Sequence, residues 1–224
     1  MMAALVKLGR VDYRRALELQ LKLREARVED RVPDTLLLLE HPPVYTIGRA
    51  GGLADFKIPL EELKAETGAE VYTVDRGGRV TFHGPGQLIG YMILKPRKLG
   101  LSVRKLVQLT LEALADACRE LGVEAEALME EPGVWTRGRK LAAIGLSIHS
   151  GVTMHGFALN VSVDLSYFSY INPCGLSSSQ ITSLSEELGY KVDLWRLADL
   201  VANKLGGRLG VRFKEASLSS LLGY

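Results

Sequence analysis

Apolar residues along the chain recur with two periods, one helical and one extended. Val103, Leu106, Val107, Thr110, Leu111, Leu114, Ala117, Cys118 and Leu121 repeat at intervals of three and four. Ser102 precedes them and Gly122 follows, which predicts a capped amphipathic helix with Cys118 on its buried stripe. Ala16, Leu17, Gln20, Leu21 and Leu23 give a partly apolar face to a second helix over 13–27, with Asp12 as its cap. Asp193 starts a third over 194–205, closed by Gly206-Gly207, and short helices are expected at 60–65 and 181–188. Strand-like runs occupy 35–39, 44–48, 71–74, 80–82, 88–94, 133–136, 141–149, 153–163 and 209–213, with Pro42-Pro43 breaking the first two. The alternation in Leu146-Ser147-Ile148-His149 and in Leu159-Asn160-Val161-Ser162 has period two, and the two strands are expected to join in a hairpin about Ser150-Gly151. Strands outnumber helices and mostly run consecutively. The predicted class is α+β, a mixed, largely antiparallel sheet flanked by helices, in one catalytic domain over 1–224.

Charge sharpens this reading in one place. Charged residues are 24% of the chain, yet from Leu141 to Ser185 the only formal charge is Asp164, where 24% of 45 residues would give about 11. A membrane span needs about 20 apolar residues in a row. Here Ser147, His149, Ser150, Thr153, His155, Asn160 and Ser162 interrupt the run, so a buried sheet is the better reading. No secretory signal is visible at Met1–Lys7, and two cysteines, Cys118 and Cys174, make neither a disulfide framework nor a zinc spacing. A soluble, cytoplasmic protein is expected, with no membrane association. A net charge of +2 argues against nucleic acid as a partner.

Familiar cofactor motifs fail on inspection. Gly84-Pro85-Gly86-Gln87-Leu88-Ile89-Gly90 places its third glycine one residue late for a dinucleotide loop, and a strand follows instead of a helix. Gly145-Leu146-Ser147-Ile148-His149 lacks the last glycine of a nucleophile elbow. His149 and His155 are expected to face each other across the hairpin, but without a carboxylate or thiol they make a weak metal site. The sequence therefore predicts no metal and no cofactor.

Two constellations remain. A lone cysteine is usually a small core residue. Cys174, however, lies between Pro173 and Gly175, which favour a turn, after the apolar Tyr167, Phe168, Tyr170 and Ile171 and before Ser177-Ser178-Ser179-Gln180. A catalytic thiol needs a basic partner to lower its pKa from ~8.5. Lys140, at the entrance of the uncharged stretch, is a candidate, though a solvated hairpin end would read the same way. The second constellation is Arg76-Gly77-Gly78-Arg79-Val80-Thr81-Phe82-His83-Gly84-Pro85-Gly86-Gln87. Its glycines allow close approach of backbone to a ligand, more than a plain glycine hairpin requires.

These residues carry a resemblance. Arg76-Gly77-Gly78-x-x-Thr81-Phe82-His83-x-x-Gly86-Gln87-x-x-x-Tyr91 resembles the signature of the lipoate-biosynthesis octanoyltransferases, the lipoyl(octanoyl) transferases. Asn172-Pro173-Cys174-Gly175, Arg139-Lys140-Leu141-Ala142-Ala143-Ile144-Gly145, Glu40 to Gly48 and Gly156-Phe157-Ala158-Leu159-Asn160 are similar to its other blocks, over roughly 36–188. The resemblance implies the biotin/lipoate protein ligase fold and transfer of octanoyl from acyl carrier protein to a lysine of lipoyl domains, those of 2-oxoacid dehydrogenases and the glycine cleavage H protein. The alternatives are an ATP-dependent lipoate or biotin ligase of the same fold, which Cys174 with Lys140 argues against, and a non-catalytic acyl-binding module in which Cys174 is merely packed. The resemblance further implies Cys174 as the thioester nucleophile and Lys140 lowering its pKa; a monomer is expected. Residues 76–83, Ala143 to Gly145 and Gly156 to Ala158 would line the acyl substrate. For His83, a second base and a loop-holding hydrogen-bond partner are equal alternatives. Arg76, Arg79, Arg137, Arg139 and Lys140 form either a basic rim for acidic carrier proteins or ordinary solvated surface.

Overall fold

A computed structural model describes residues 1–173 and 178–223 of the chain. In order, the elements are β1 (Met2–Arg10), α1 (Tyr13–Val28), β2 (Thr35–Glu40), β3 (Val44–Ile47), α2 (Leu60–Thr67), β4 (Glu70–Thr73), β5 (Val80–His83) and β6 (Gln87–Ile93). Then come α3 (Val103–Glu120), β7 (Glu126–Leu128), β8 (Gly133–Thr136), β9 (Arg139–His149), β10 (Val152–Asn160), α4 (Leu184–Leu188), α5 (Leu194–Leu209), β11 (Arg212–Glu215) and α6 (Leu218–Leu222). Eight strands make one sheet in the order β11-β1-β2-β6-β10-β9-β8-β7, and β4-β3-β5 make a second. Pairing is antiparallel except for β1 with β2 and β11, and β3 with β4. This is the mixed, largely antiparallel α+β class expected from the sequence.

Helices α3 and α5 cover one face of the large sheet, with Leu111, Leu114, Leu197 and Val201 packed on Leu88, Met92, Phe157 and Leu159. Helix α1 lies on the other face, where Ala16 and Leu23 meet Leu37, Leu39, Ile89 and Tyr91. The small sheet closes over its own core of Tyr45, Val80, Phe82, Phe168 and Ile171. Strand β10 is buried at every position, as is its neighbour β6. A strand covered on both faces has no solvated side on which a charge can sit. That accounts for the absence of charge along β10, the middle of the uncharged stretch. The one exception in that stretch, Asp164, is the N-cap of a 3₁₀ turn, where its carboxylate accepts from Ser166 N at 2.9 Å.

Local capping follows the sequence closely. Ser102 Oγ accepts from Lys105 N at 3.2 Å, and Asp193 accepts from Trp195 N and Arg196 N. Asp12 occupies the cap position of α1 but makes no capping hydrogen bond. The hairpin turns at Ser150-Gly151, both with positive φ. Cys118 is fully buried, and burial pushes its thiol up to about 12.

The sequence reading missed β1, the edge strand β7 and the short helix α6. Strand β1 carries Lys7 and Arg10, and both its partners are parallel and distant in sequence. A second difference is the end of α5, which runs through Gly206-Gly207 to Leu209 and stops at Gly210 (φ 67°). Leu205, Gly206 and Leu209 are buried, so packing carries the helix past two weak formers. The glycines are not equivalent. A Cβ on Gly206 would lie 2.8 Å from the Val211 carbonyl oxygen, whereas Gly207 faces open space. Gly206→Ala is therefore expected to destabilise by ~1–3 kcal/mol. Gly207→Ala should be neutral or stabilise by up to ~1 kcal/mol. Urea denaturation of the two variants checks this, and equal effects would contradict it.

Candidate functional site

A cavity lies between the two sheets, and the period of the strands decides what lines it. On the large sheet, Tyr91, Gly156 and Gly145 form one cross-strand row and Ile89, Ala158 and Ala143 the next. Paired residues project to the same face. Large side chains on β6 thus stand beside small ones on β10 and β9, which leaves a trough. Thr81 and His83 of β5 line the opposite wall, while Val80 and Phe82 alternate away into the core of the small sheet. The enclosed part of the cavity is narrow, about 50 Å³, and the space reaches about 510 Å³ only when its open mouth is counted.

Arg76 holds the wall in place. The residue is 8% exposed, and its guanidinium donates to Thr46 Oγ1, to the carbonyls of Thr46 and Arg79 at 2.7 and 2.8 Å, and to Gly77 O. Gly77 N donates to Leu146 O of β9 at 3.0 Å. The loop is wedged so closely that a Cβ on Gly48 would meet Gly78 O at 2.4 Å, and one on Gly145 would meet Gly77 O at 2.7 Å. Arg79 turns outward to Asp55, whose Oδ1 accepts from Nε and Nη2 at 3.0 and 2.6 Å.

Hydrogen-bond partners settle the tautomers of the histidines at the cavity. His83 Nδ1 is 2.8 Å from Gln87 Oε1, and Gln87 Nε2 donates to Asn160 Oδ1 at 2.8 Å. Asn160 Nδ2 in turn donates to Thr182 O at 2.9 Å, and a carbonyl can only accept. The chain of donors makes His83 Nδ1 the protonated nitrogen. His41 gives its Nδ1–H to Val11 O at 2.6 Å and accepts from the Tyr91 hydroxyl at Nε2. His155 and His149 both bond Asp75, through Oδ1 at 2.8 Å and Oδ2 at 2.5 Å. Burial would raise the Asp75 carboxyl, but the bonds from the two histidines outweigh it and hold it at about 2. Burial lowers His155 as well.

A smaller cavity adjoins the first and shares Thr81, Ala143 and Ala158 with it. Gln87, Lys140, Ala142, Asn160, Phe168, Pro173 and Ile181 complete its lining. Lys140 is 6% exposed, with Nζ 5.0 Å from the centre of the Trp135 ring. The chain on either side of residues 174–177 is held by backbone hydrogen bonds. Asn172 N donates to Asp55 O at 2.8 Å, and Thr182 N donates to Lys140 O at 3.0 Å.

The structure thus gathers most of the expected ligand-lining residues, and departs from the expectations at several points. Arg76, Gly77, Gly78, Thr81, His83, Ala143 to Gly145 and Gly156 to Ala158 line the main cavity; Arg79, Val80 and Phe82 do not. Cys174, with Gly175 to Ser177, lies outside the described residues. Lys140 is buried and is not a solvated hairpin end. Of the five residues of the expected basic rim, Arg76 and Lys140 are buried, Arg79 pairs with Asp55, Arg139 pairs with Glu186 and Glu187, and Arg137 is exposed. His149 and His155 do not pair across the hairpin; His149 stands opposite Val152 and His155 opposite Leu146, and Asp75 supplies the carboxylate that joins them. Among the described residues no group of three or more His, Cys, Asp or Glu side chains is arranged to hold a metal, and no helix is long and apolar enough to cross a membrane. Thr46, Asp55, Asp75 and Tyr13 were not singled out by the sequence, since each acts through a partner at least 20 positions away.

Comparison with known proteins converges on one group. The family model of the lipoyl protein ligase A/B catalytic domain matches residues 12–206. An octanoyltransferase of Caldicellulosiruptor saccharolyticus is 42% identical over 213 residues, 94% of this chain and 90% of that protein. Among solved structures, a lipoate protein ligase of Thermoplasma acidophilum with bound lipoic acid superposes with a TM-score of 0.78 at 16% identity, covering 100% of this chain and 92% of that one. The biotin protein ligase of Aquifex aeolicus superposes with a TM-score of 0.56 at 16% identity, over 94% and 70%.

The buried histidines make stability depend on pH. Burial lowers His41 to about 4 and His83 to about 3. Unfolded, each takes up a proton below pH ~6.5 that the folded protein refuses. The unfolded state then binds more protons, so their contribution is complete above pH ~6.5 and is lost as pH falls towards 4, at up to about 1.4 kcal/mol per pH unit for each histidine. Urea midpoints at pH 7 and pH 5 check the slope, and His83→Gln should reduce it by one proton's share. Stability that does not change between these pH values would contradict the reading.

Proposed function

The chain belongs to the lipoyl protein ligase A/B catalytic-domain family and is an acyltransferase of its octanoyltransferase members, and from that premise we propose that it moves octanoyl from acyl carrier protein to a lysine of lipoyl domains through a thioester on Cys174. The observation that carries this reading is the cavity where Lys140 and Pro173, the residue before Cys174, meet beside the small-residue trough. In the proposed cycle the Cys174 thiolate attacks the donor carbonyl, and the electron pair of the C=O bond moves to oxygen. Collapse expels the carrier thiolate, which takes a proton from the Lys140 ammonium. The acceptor amine then attacks the enzyme thioester, neutral Lys140 takes its proton, and Cys174 leaves as thiolate. One thioester replaces another at nearly equal free energy, so no nucleotide is consumed. The trough receives the hydrocarbon, at ~0.8 kcal/mol for each CH₂ removed from water. Lipoyl domains of 2-oxoacid dehydrogenases and the glycine cleavage H protein are the acceptors in this proposal, and the protein works as a cytoplasmic monomer.

Intact mass spectrometry tests the intermediate. Octanoyl carrier protein without ATP should add one octanoyl group to the wild type and none to Cys174→Ala. Transfer that is undiminished in the variant, or that requires ATP, would overturn the mechanism. Lys140→Ala should lower transfer by ~10²–10⁴-fold. It should also move thiol alkylation to higher pH, and an unchanged alkylation profile would remove Lys140 from control of the thiol.

A further inference from the structure

Asn160 ends β10 at the floor of the smaller cavity, and its amide is clamped on two sides. Oδ1 accepts from Gln87 Nε2 at 2.8 Å, and Nδ2 donates to Thr182 O at 2.9 Å. Gln87 is itself fixed, because its Nε2 also reaches Phe82 O and its Oε1 accepts from His83. Rotating the Asn160 amide would break both of its bonds at once, so its plane is set before any ligand arrives. An amide nitrogen carries two hydrogens. One of those on Asn160 Nδ2 goes to Thr182, and the other has no partner among the described residues. Asn160 is 5% exposed and lines the cavity that Lys140 and Pro173 also line.

Buried donors are ordinarily paired, so an unpaired one beside a cavity points to a partner that arrives with the ligand. The one strong acceptor on an octanoyl thioester is its carbonyl oxygen. We propose that Asn160 donates this second N–H to that oxygen as it becomes an oxyanion in the tetrahedral intermediates of both half-reactions. The assignment rests on the thioester mechanism proposed above. In that cycle the thiolate, and later the amine, forms the new bond to carbon while the C=O π pair moves to oxygen; the pair returns as the leaving sulfur departs. Asn160 gains and loses no proton. Lys140 is unsuited to the same duty throughout, since it is cationic at the first attack and neutral at the second. A fixed neutral amide serves both. Preorganised donors of this kind act most strongly where water is excluded.

The competing role is mechanical: Asn160 holds Thr182, whose N–H holds the Lys140 carbonyl. Asn160→Ala separates the two. An oxyanion donor predicts a kcat loss of ~10²–10³-fold in Cys174 acylation and in transfer. It also predicts a KM for octanoyl carrier protein within about threefold of wild type and an unchanged pH midpoint of Cys174 alkylation. Octanal, which forms a tetrahedral adduct with a thiol, should bind more weakly by the same factor as kcat, while octanoate binding holds. A loss under tenfold, or an alkylation midpoint that moves along with the rate, would overturn the proposal. If Asn160→Ala melts below the assay temperature, Asn160→Ser takes its place with the same expectations. A wild type that forms no Cys174 adduct refutes the thioester reading itself. Equal acylation rates in wild type and variant refute the Asn160 assignment alone.

Discussion

The site depends on the buried guanidinium of Arg76. A charge at 8% exposure is tolerable only when its donors are satisfied, and here they go to Thr46, Gly77 and the Arg79 carbonyl. Those bonds tie the loop between the two sheets to β3, and Gly77 N ties it to β9. Without them the roof of the trough would have no fixed height. Arg76 therefore shapes the cavity as well as lining it, which differs from the anion-binding role that a basic residue beside two glycines suggests.

The trough follows from side-chain size in a fixed register. Ala143 faces Ala158 and Gly145 faces Gly156, with Ile89 and Tyr91 as the third members of the same rows. Four small residues on adjacent strands remove volume from one patch of the sheet. Apolar neighbours and coverage on both faces keep charge out of it. One network then crosses from the trough to the smaller cavity: His83, Gln87, Asn160, Thr182 and the Lys140 carbonyl are joined by successive hydrogen bonds. A displacement at either end must be accommodated by the other.

Much of this was legible in the sequence, because much of it is local. Helix α3, the hairpin at Ser150-Gly151 and the caps at Ser102 and Asp193 are fixed by residues within a few positions of one another. The Arg76–His83 stretch was recognisable from its glycines, and alternation along β5 then explains why Thr81 and His83 reach the cavity while Val80 and Phe82 do not. What escaped was long-range. Strand β1 finds parallel partners in β2 and β11, Asp75 lies 80 positions from His155, and Asp55 meets Arg79 from another loop. The expected basic rim is reduced for the same reason, since Glu186 and Glu187 approach Arg139 only after folding.

The central claim is that the small-residue trough exists to hold an acyl chain whose carbonyl sits beside Lys140. A crystal structure of the protein carrying octanoyl on Cys174, prepared without acceptor, tests it most directly. The chain should run over Ala143 and Ala158 towards Gly145 and Gly156, beneath Thr81 and His83. An acylated Cys174 with the trough empty and the chain lying elsewhere would contradict the account.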